Sequence, residues 1–184
     1  MAKKRSIHLI IIGIDPGSRV TGYGIIRVQG SQSFYVDCGC IRTATLQGAE
    51  RLQHIFHELQ KIIQEHQPLE AAIEQVFVNQ NPNSALKLGQ ARGAAMAAIT
   101  IPLSEYSARQ VKQSIVGFGA AKKEQVQHMV QRLLNITDKL QADAADALAI
   151  ALCHAHMRLS PYKLLGAPKK KKSSWRSFQV KCEN

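Results

Sequence analysis

"HLIIIGIDPGSRVTGYGIIRVQGSQSFYVDCGCIRT", residues 8–43, is the stretch whose reading decides the fold. Its first part, "HLIIIGID" (8–15), is an apolar run that predicts a buried strand ending at the tight Pro16-Gly17-Ser18 turn. "VTGYGIIRVQ" (20–29) and "SFYVDCGCIRT" (33–43) predict two more strands, joined at "GSQ". Together they form an expected antiparallel meander.

Beyond the meander the period changes. "AERLQHIFHELQKIIQEHQ" (49–67) places Leu52, Ile55, Phe56, Leu59, Ile62 and Ile63 on one helical stripe, and Pro68 ends it. "EAAIEQVFV" (70–78) reads as a strand, "NQNPN" as a loop and "SALKLGQARGAAMAAIT" (84–100) as a helix. A short strand over "PLSEYSA" (102–108) and a helix over "RQVKQSIVG" follow. The connector "FGAAKK" (118–123) leads to an amphipathic helix over 123–135. The last helix is expected from Asp143 to about Leu159, where Ser160-Pro161 stops it. Strands first, then strands alternating with helices, describe an α/β chain with a mixed sheet flanked by helices.

The 184 residues suit one domain over 1–160. Residues 161–184, with seven Lys or Arg and one Glu, contribute +6 of the +11 net charge. They are expected to form a basic, disordered tail. The body is basic without it, which leans toward a polyanionic partner. No apolar run approaches the ~18 residues of a membrane span. The basic start lacks a small-residue cleavage site, so a cytoplasmic protein is expected. Cys38, Cys40, Cys153 and Cys182 show no CxxC spacing. They read as free thiols rather than a zinc site.

Four acids are awkward where they stand. Asp15 terminates an Ile/Leu run, with Asx-turn initiation as its plain explanation. Glu74 sits inside "AAIEQVF", where a lone charge costs several kcal/mol or so unless paired. Asp143 and Asp146 open the last helix on one face, close enough to repel. Helix capping, with Asp143 at N-cap and Asp146 at N3, is the simplest account of that pair. One explanation covers all four if they converge: hard divalent cations neutralise clustered carboxylates, and Mg²⁺ prefers oxygen ligands. Two such ions ~4 Å apart can activate water and stabilise a leaving oxygen in phosphodiester cleavage. His154 and His156, two apart on a helix, point away from each other. They read as partners of the helix C-terminal dipole, not as metal ligands.

"GIDPGSRVTGYGII", "AIEQVF", "SALKLGQARG", "ARQVKQSIVG" and "ADAADALAIALCHAH" resemble, in order and spacing over about residues 8–158, the signature blocks of the RuvC family of Holliday-junction resolvases. The resemblance implies an RNase H-like fold, with three antiparallel strands then parallel ones and helices on both faces. It implies a homodimer making paired symmetric nicks at a four-way DNA junction during recombination and repair. It further implies that water attacks the phosphorus in line, leaving 5′-phosphate and 3′-hydroxyl ends. The acidic metal site maps onto Asp15, Glu74, Asp143 and Asp146, with two Mg²⁺ ions per subunit expected and Mn²⁺ as a substitute. Some family members carry histidine at the last position; this chain keeps the acid. The resemblance also puts charge stabilisation on Lys123, DNA contact on Lys112 and base stacking on Phe77. Lys122, adjacent to Lys123, is a further expected DNA contact. Cooperation with the RuvA–RuvB branch-migration complex is implied as well.

The helix holding Gly89, Arg92 and Gly93 is the expected dimer interface, because small residues allow close approach. Three rival readings remain at this point. An actin-like phosphotransferase is suggested by "GIDPGS", but no second phosphate loop appears. A non-catalytic junction-binding module would use the acids structurally. An RNase H of the same fold would cut RNA–DNA hybrids.

Overall fold

The computed structural model describes residues 8–75 and 82–158. Strand β1 (Leu9–Asp15) pairs antiparallel with β2 (Val20–Gln29), which pairs antiparallel with β3 (Gln32–Arg42). Helix α1 (Gly48–His66) leads to β4 (Glu70–Glu74), parallel to β1, and α2 (Pro82–Ala97) leads to β5 (Leu103–Tyr106), parallel to β4. Helices α3 (Ala108–Val116), α4 (Lys123–Leu134) and α5 (Ala142–Arg158) complete the described chain. The sheet order is β3-β2-β1-β4-β5. This is the mixed, helix-flanked sheet expected from the sequence. The basic tail and the end of the "EAAIEQVFV" strand beyond Gln75 lie outside the described residues.

Alternation along β1 builds both cores. Ile12 and Ile14 face α1 and α2, packing with Ile55, Leu59, Ala91 and Ala95. Ile11 faces the other way, into a core shared with Val111, Val130, Leu148 and Leu152 from α3, α4 and α5. Period 2 then sends Gly13 and Asp15 to that same α5 side. In β4, Ala71 and Ile73 belong to the first core and Ala72 to the second, so Glu74 also projects toward α5.

Helix α5 is buried on all sides: from Ala144 to Ala155 every residue but Asp146 is buried. A helix apolar all round belongs in a core. It lies against a glycine track on β1 and β2. A Cβ built on Gly24 would come within 2.7 Å of the Leu148 nitrogen, and one on Gly13 would strike the Ala147 carbonyl and the Ala151 nitrogen. Gly22 likewise meets the carbonyl of Asp143. Since Gly13 pairs with Gly24, and Asp15 with Gly22, the track brings the start of α5 down beside the end of β1.

The start of α5 corrects the capping expectation. Its first turn is closed by the Ala145 N–H donating to the Gln141 carbonyl, so the helix begins one residue earlier. Asp143 lies inside the first turn rather than at N-cap, and Asp146 lies in the second turn. Four N–H groups per helix lack partners, all in the first turn, so Asp146 caps nothing.

The far end of α5 is pinned by a polar network. His154, only 3% exposed, bonds through Nδ1 to the Tyr106 hydroxyl (2.8 Å) and through Nε2 to Glu70 (2.7 Å). Arg158 donates to both Glu70 oxygens, at 3.1 and 2.9 Å. His154 is thus a hydrogen-bonded core residue rather than a simple dipole partner, while His156 meets the Ser114 hydroxyl at 3.1 Å. Burial raises the Glu70 pKa, but bonds from Arg158 and His154 outweigh it and hold the carboxyl below its ordinary range. A depressed acid contributes stability above its unfolded pKa that is lost as pH falls through the folded one. Wild type is therefore expected to lose more stability than Glu70→Gln on acidification from pH ~5 to ~3. Urea midpoints across that range test this, and parallel losses would remove the network from the acid response.

Candidate active site

Asp15 ends β1 and Glu74 ends the neighbouring β4, one step past the paired Ile14 and Ile73. Asp143 and Asp146 reach toward them from the first two turns of α5. The charges feel one another. Burial, then Glu74, Asp146 and Asp143, push the Asp15 pKa up to about 8. A side-chain hydrogen bond joins Asp15 and Glu74. Glu74 is raised by burial and Asp146, against the lowering effects of Asp15, Lys123 and Lys112. Asp146 is raised by burial despite its Lys123 partner. In the metal-free protein both carboxyls are thus pushed toward their protonated forms, and the Asp15–Glu74 pair favours sharing a proton.

Lys123, first residue of α4, places its ammonium on Asp146. Burial lowers its pKa, but the Asp146 bond and the Asp15 and Asp143 charges prevail and raise it. Lys112 and Lys123 line, with Glu74, Val126 and Asp146, a cleft of about 170 Å³. Lys122 and Lys123 are both exposed, but Lys122 stands at the α4 N-cap, where its backbone N–H donates to Gln125, and no ion pair joins it to an acid among the described residues. Between the two adjacent lysines, Lys123 is the one turned toward the acids. Phe77 lies outside the described residues.

Among the described residues no three His, Cys, Asp or Glu side chains stand as a ready metal cluster. The Asp15–Glu74 hydrogen bond and the Lys123 ammonium on Asp146 relieve part of the repulsion. The donor set itself is all carboxylate oxygen, the chemistry of hard divalent cations, and its mutual repulsion is what such ions relieve. The residues fit the group.

Two contributions were not legible as site features beforehand. The glycine track is one; alternating glycines in "GIDPGSRVTGYG" were its signal. The other is Arg92. It turns from α2 toward the sheet, donating to the Glu74 carbonyl (3.1 Å) and to the Glu105 carboxylate (2.5 Å), and so ties the end of β4 to β5. Gly89 and Gly93, on the same helix, are exposed, and a Cβ on either would meet nothing within 4 Å among the described residues. Packing against the described residues is therefore not why they are small.

The chain resembles known proteins over most of its length. The family model described as crossover junction endodeoxyribonuclease RuvC matches residues 11–154. The crossover junction endodeoxyribonuclease RuvC of Acinetobacter baumannii is 63% identical over 158 residues, covering 84% of this chain and 87% of that one. That of Marinobacter nauticus is 61% identical over 158 residues, covering 84% and 90%. Among solved structures, Thermus thermophilus RuvC in complex with Holliday junction substrate superposes with a TM-score of 0.76 at 32% identity, covering 82% of this chain and 95% of that one. The yeast mitochondrial Holliday junction resolvase Ydc2 shares the fold, with a TM-score of 0.57 at 14% identity over 84% of this chain and 83% of its own.

Proposed function

Because this chain belongs to the crossover junction endodeoxyribonuclease RuvC family, we propose that it resolves four-way DNA junctions by hydrolysing two symmetry-related phosphodiester bonds at Asp15, Glu74, Asp143 and Asp146. The observation that supports this most directly is structural. Two strand ends and one helix start, distant in sequence, carry four carboxylates close enough that Glu74, Asp143 and Asp146 all act on Asp15. Two of them, Glu74 and Asp146, line a cleft with Lys112 and Lys123. Divalent cations, Mg²⁺ foremost, supply water activation and charge neutralisation when held by these acids.

The chain's own residues divide the remaining work. Lys123 offsets charge developing on the scissile phosphate, and Lys112 holds a neighbouring phosphate across the cleft. Lys122 adds a backbone contact at the rim, and Phe77 stacks on an unpaired base. The exposed Gly89–Gly93 face of α2 serves as the homodimer contact, which presents one site to each strand of a two-fold junction. We extend the proposal to a cytoplasmic setting and to cooperation with the RuvA–RuvB branch-migration complex. Among the described residues no helix is long and apolar enough to cross a membrane.

Cleavage of a synthetic four-way junction with and without Mg²⁺ tests the proposal. Paired nicks that require the metal support it, whereas cutting of an RNA–DNA hybrid but not of the junction would overturn it. The tail gives a second expectation. Removing residues 166–184 should weaken junction affinity and shorten the slope of log affinity against log salt, because its Lys and Arg displace counterions. Nicking at saturating protein should survive, and an unchanged salt slope would take the tail out of the DNA interface.

A further inference from the structure

Between Ser107 and Lys123 the chain carries Arg109, Lys112, Lys122 and Lys123 and no acid. In the middle of it Phe118 stands 49% exposed, between Gly117 and Gly119. A single exposed apolar side chain is ordinary. Its setting is not. Gly117 closes α3 in the left-handed region (φ 85°), and its N–H donates to the Gln113 carbonyl at 3.0 Å, so the loop leaves the helix on a fixed course. Gly119 then lies so close to Arg109 that an added Cβ would come within 2.6 Å of its Cγ and 3.2 Å of its Nε.

The loop is thereby braced against the first turn of α3, and Phe118 and Arg109 line one open cleft of about 500 Å³. Ala108, the neighbour of Arg109, lines the cleft that holds Glu74 and Asp146, so successive residues of α3 line the two clefts. Arg109, Lys112 and Lys122 have no ion pair among the described residues. An aromatic ring held outward on a braced loop, flanked by unpaired cations, suits nucleic acid. The ring offers a stacking face to a base, and the guanidinium pairs with phosphate.

We propose that Phe118 stacks on an unpaired base of the bound junction, with Arg109 on the adjacent phosphate, forming a DNA contact outside the catalytic cleft. This rests on the nuclease reading above. The test is junction affinity of the full chain by fluorescence anisotropy over a salt series, without added divalent cation. F118A should weaken affinity by about fivefold or more at an unchanged salt slope, and F118W should restore it to within about twofold, as a stacking contact requires. R109A should shorten the salt slope by about one phosphate contact. Wild-type affinity in F118A, or an F118W as weak as F118A, would overturn the contact alone. A wild-type protein with no junction affinity would overturn the nuclease reading and this contact with it.

Discussion

Asp15→Asn loses junction cleavage by about a thousandfold or more while binding the junction as wild type does, since an electrostatic group facing the reacting phosphate acts on that scale. Asn keeps the shape of the carboxyl and removes only its charge. The same substitution is expected to stabilise the metal-free protein, because Asp15 is held among three other acids and a buried environment that raise its pKa to about 8. A raised acid leaves the folded state holding a proton that the unfolded state releases, so stability declines as pH rises between the unfolded and folded values. The melting-temperature advantage of Asp15→Asn should accordingly widen from pH ~4 to ~8 and then level off. Junction nicking assays and melting curves in chelator check both halves. Retained cleavage would remove Asp15 from the catalytic set. An Asn variant less stable than wild type at pH ~8 would mean the carboxylate is held for structure.

The order and kind of every described element was legible in the sequence, and the reasons are local. Runs closed by turns gave the meander, and apolar stripes at helical spacing gave α1 and α4. The acids were legible because each broke a pattern: Asp15 at the end of an Ile run, Glu74 inside an apolar strand, Asp143 and Asp146 in an otherwise apolar helix. What stayed hidden depends on approach between distant segments. The start of α5 at Ala142 turned on a backbone bond from Ala145 to Gln141, which composition does not encode. His154 looked like a helix-end residue because its partners, Glu70 and Tyr106, come from two strands far earlier in the chain. Arg92 sat among small residues on α2 and was grouped with them, although its side chain turns the other way, to Glu74 and Glu105.

Glycines at two places test that difference between packing and display. Gly13→Ala adds one methyl group, yet its Cβ would strike the backbone of α5 at Ala147 and Ala151. Backbone cannot rotate aside as a side chain can, so the helix must lift. Overpacking of this kind costs about 3 kcal/mol or more at the upper end of its range. Because α5 carries Asp143 and Asp146, lifting it also parts them from Asp15 and Glu74. Gly13→Ala is thus expected to lower the urea midpoint sharply and to cut cleavage about tenfold or more even where the protein remains folded, since small misplacements at a reacting centre are costly. Gly89→Ala should do the opposite within one chain. Among the described residues it meets nothing within 4 Å, and it lies inside α2, where alanine is favoured over glycine by about 1 kcal/mol. If α2 joins two copies, the added methyl groups keep the two helices apart, so Gly89→Ala should weaken dimerisation while stabilising each subunit. Sedimentation across a concentration series, set beside urea unfolding, separates the two effects. A Gly89→Ala protein that dimerises like wild type would move the interface away from this face, and a Gly13→Ala protein of wild-type stability would show that α5 does not rest on the glycine track.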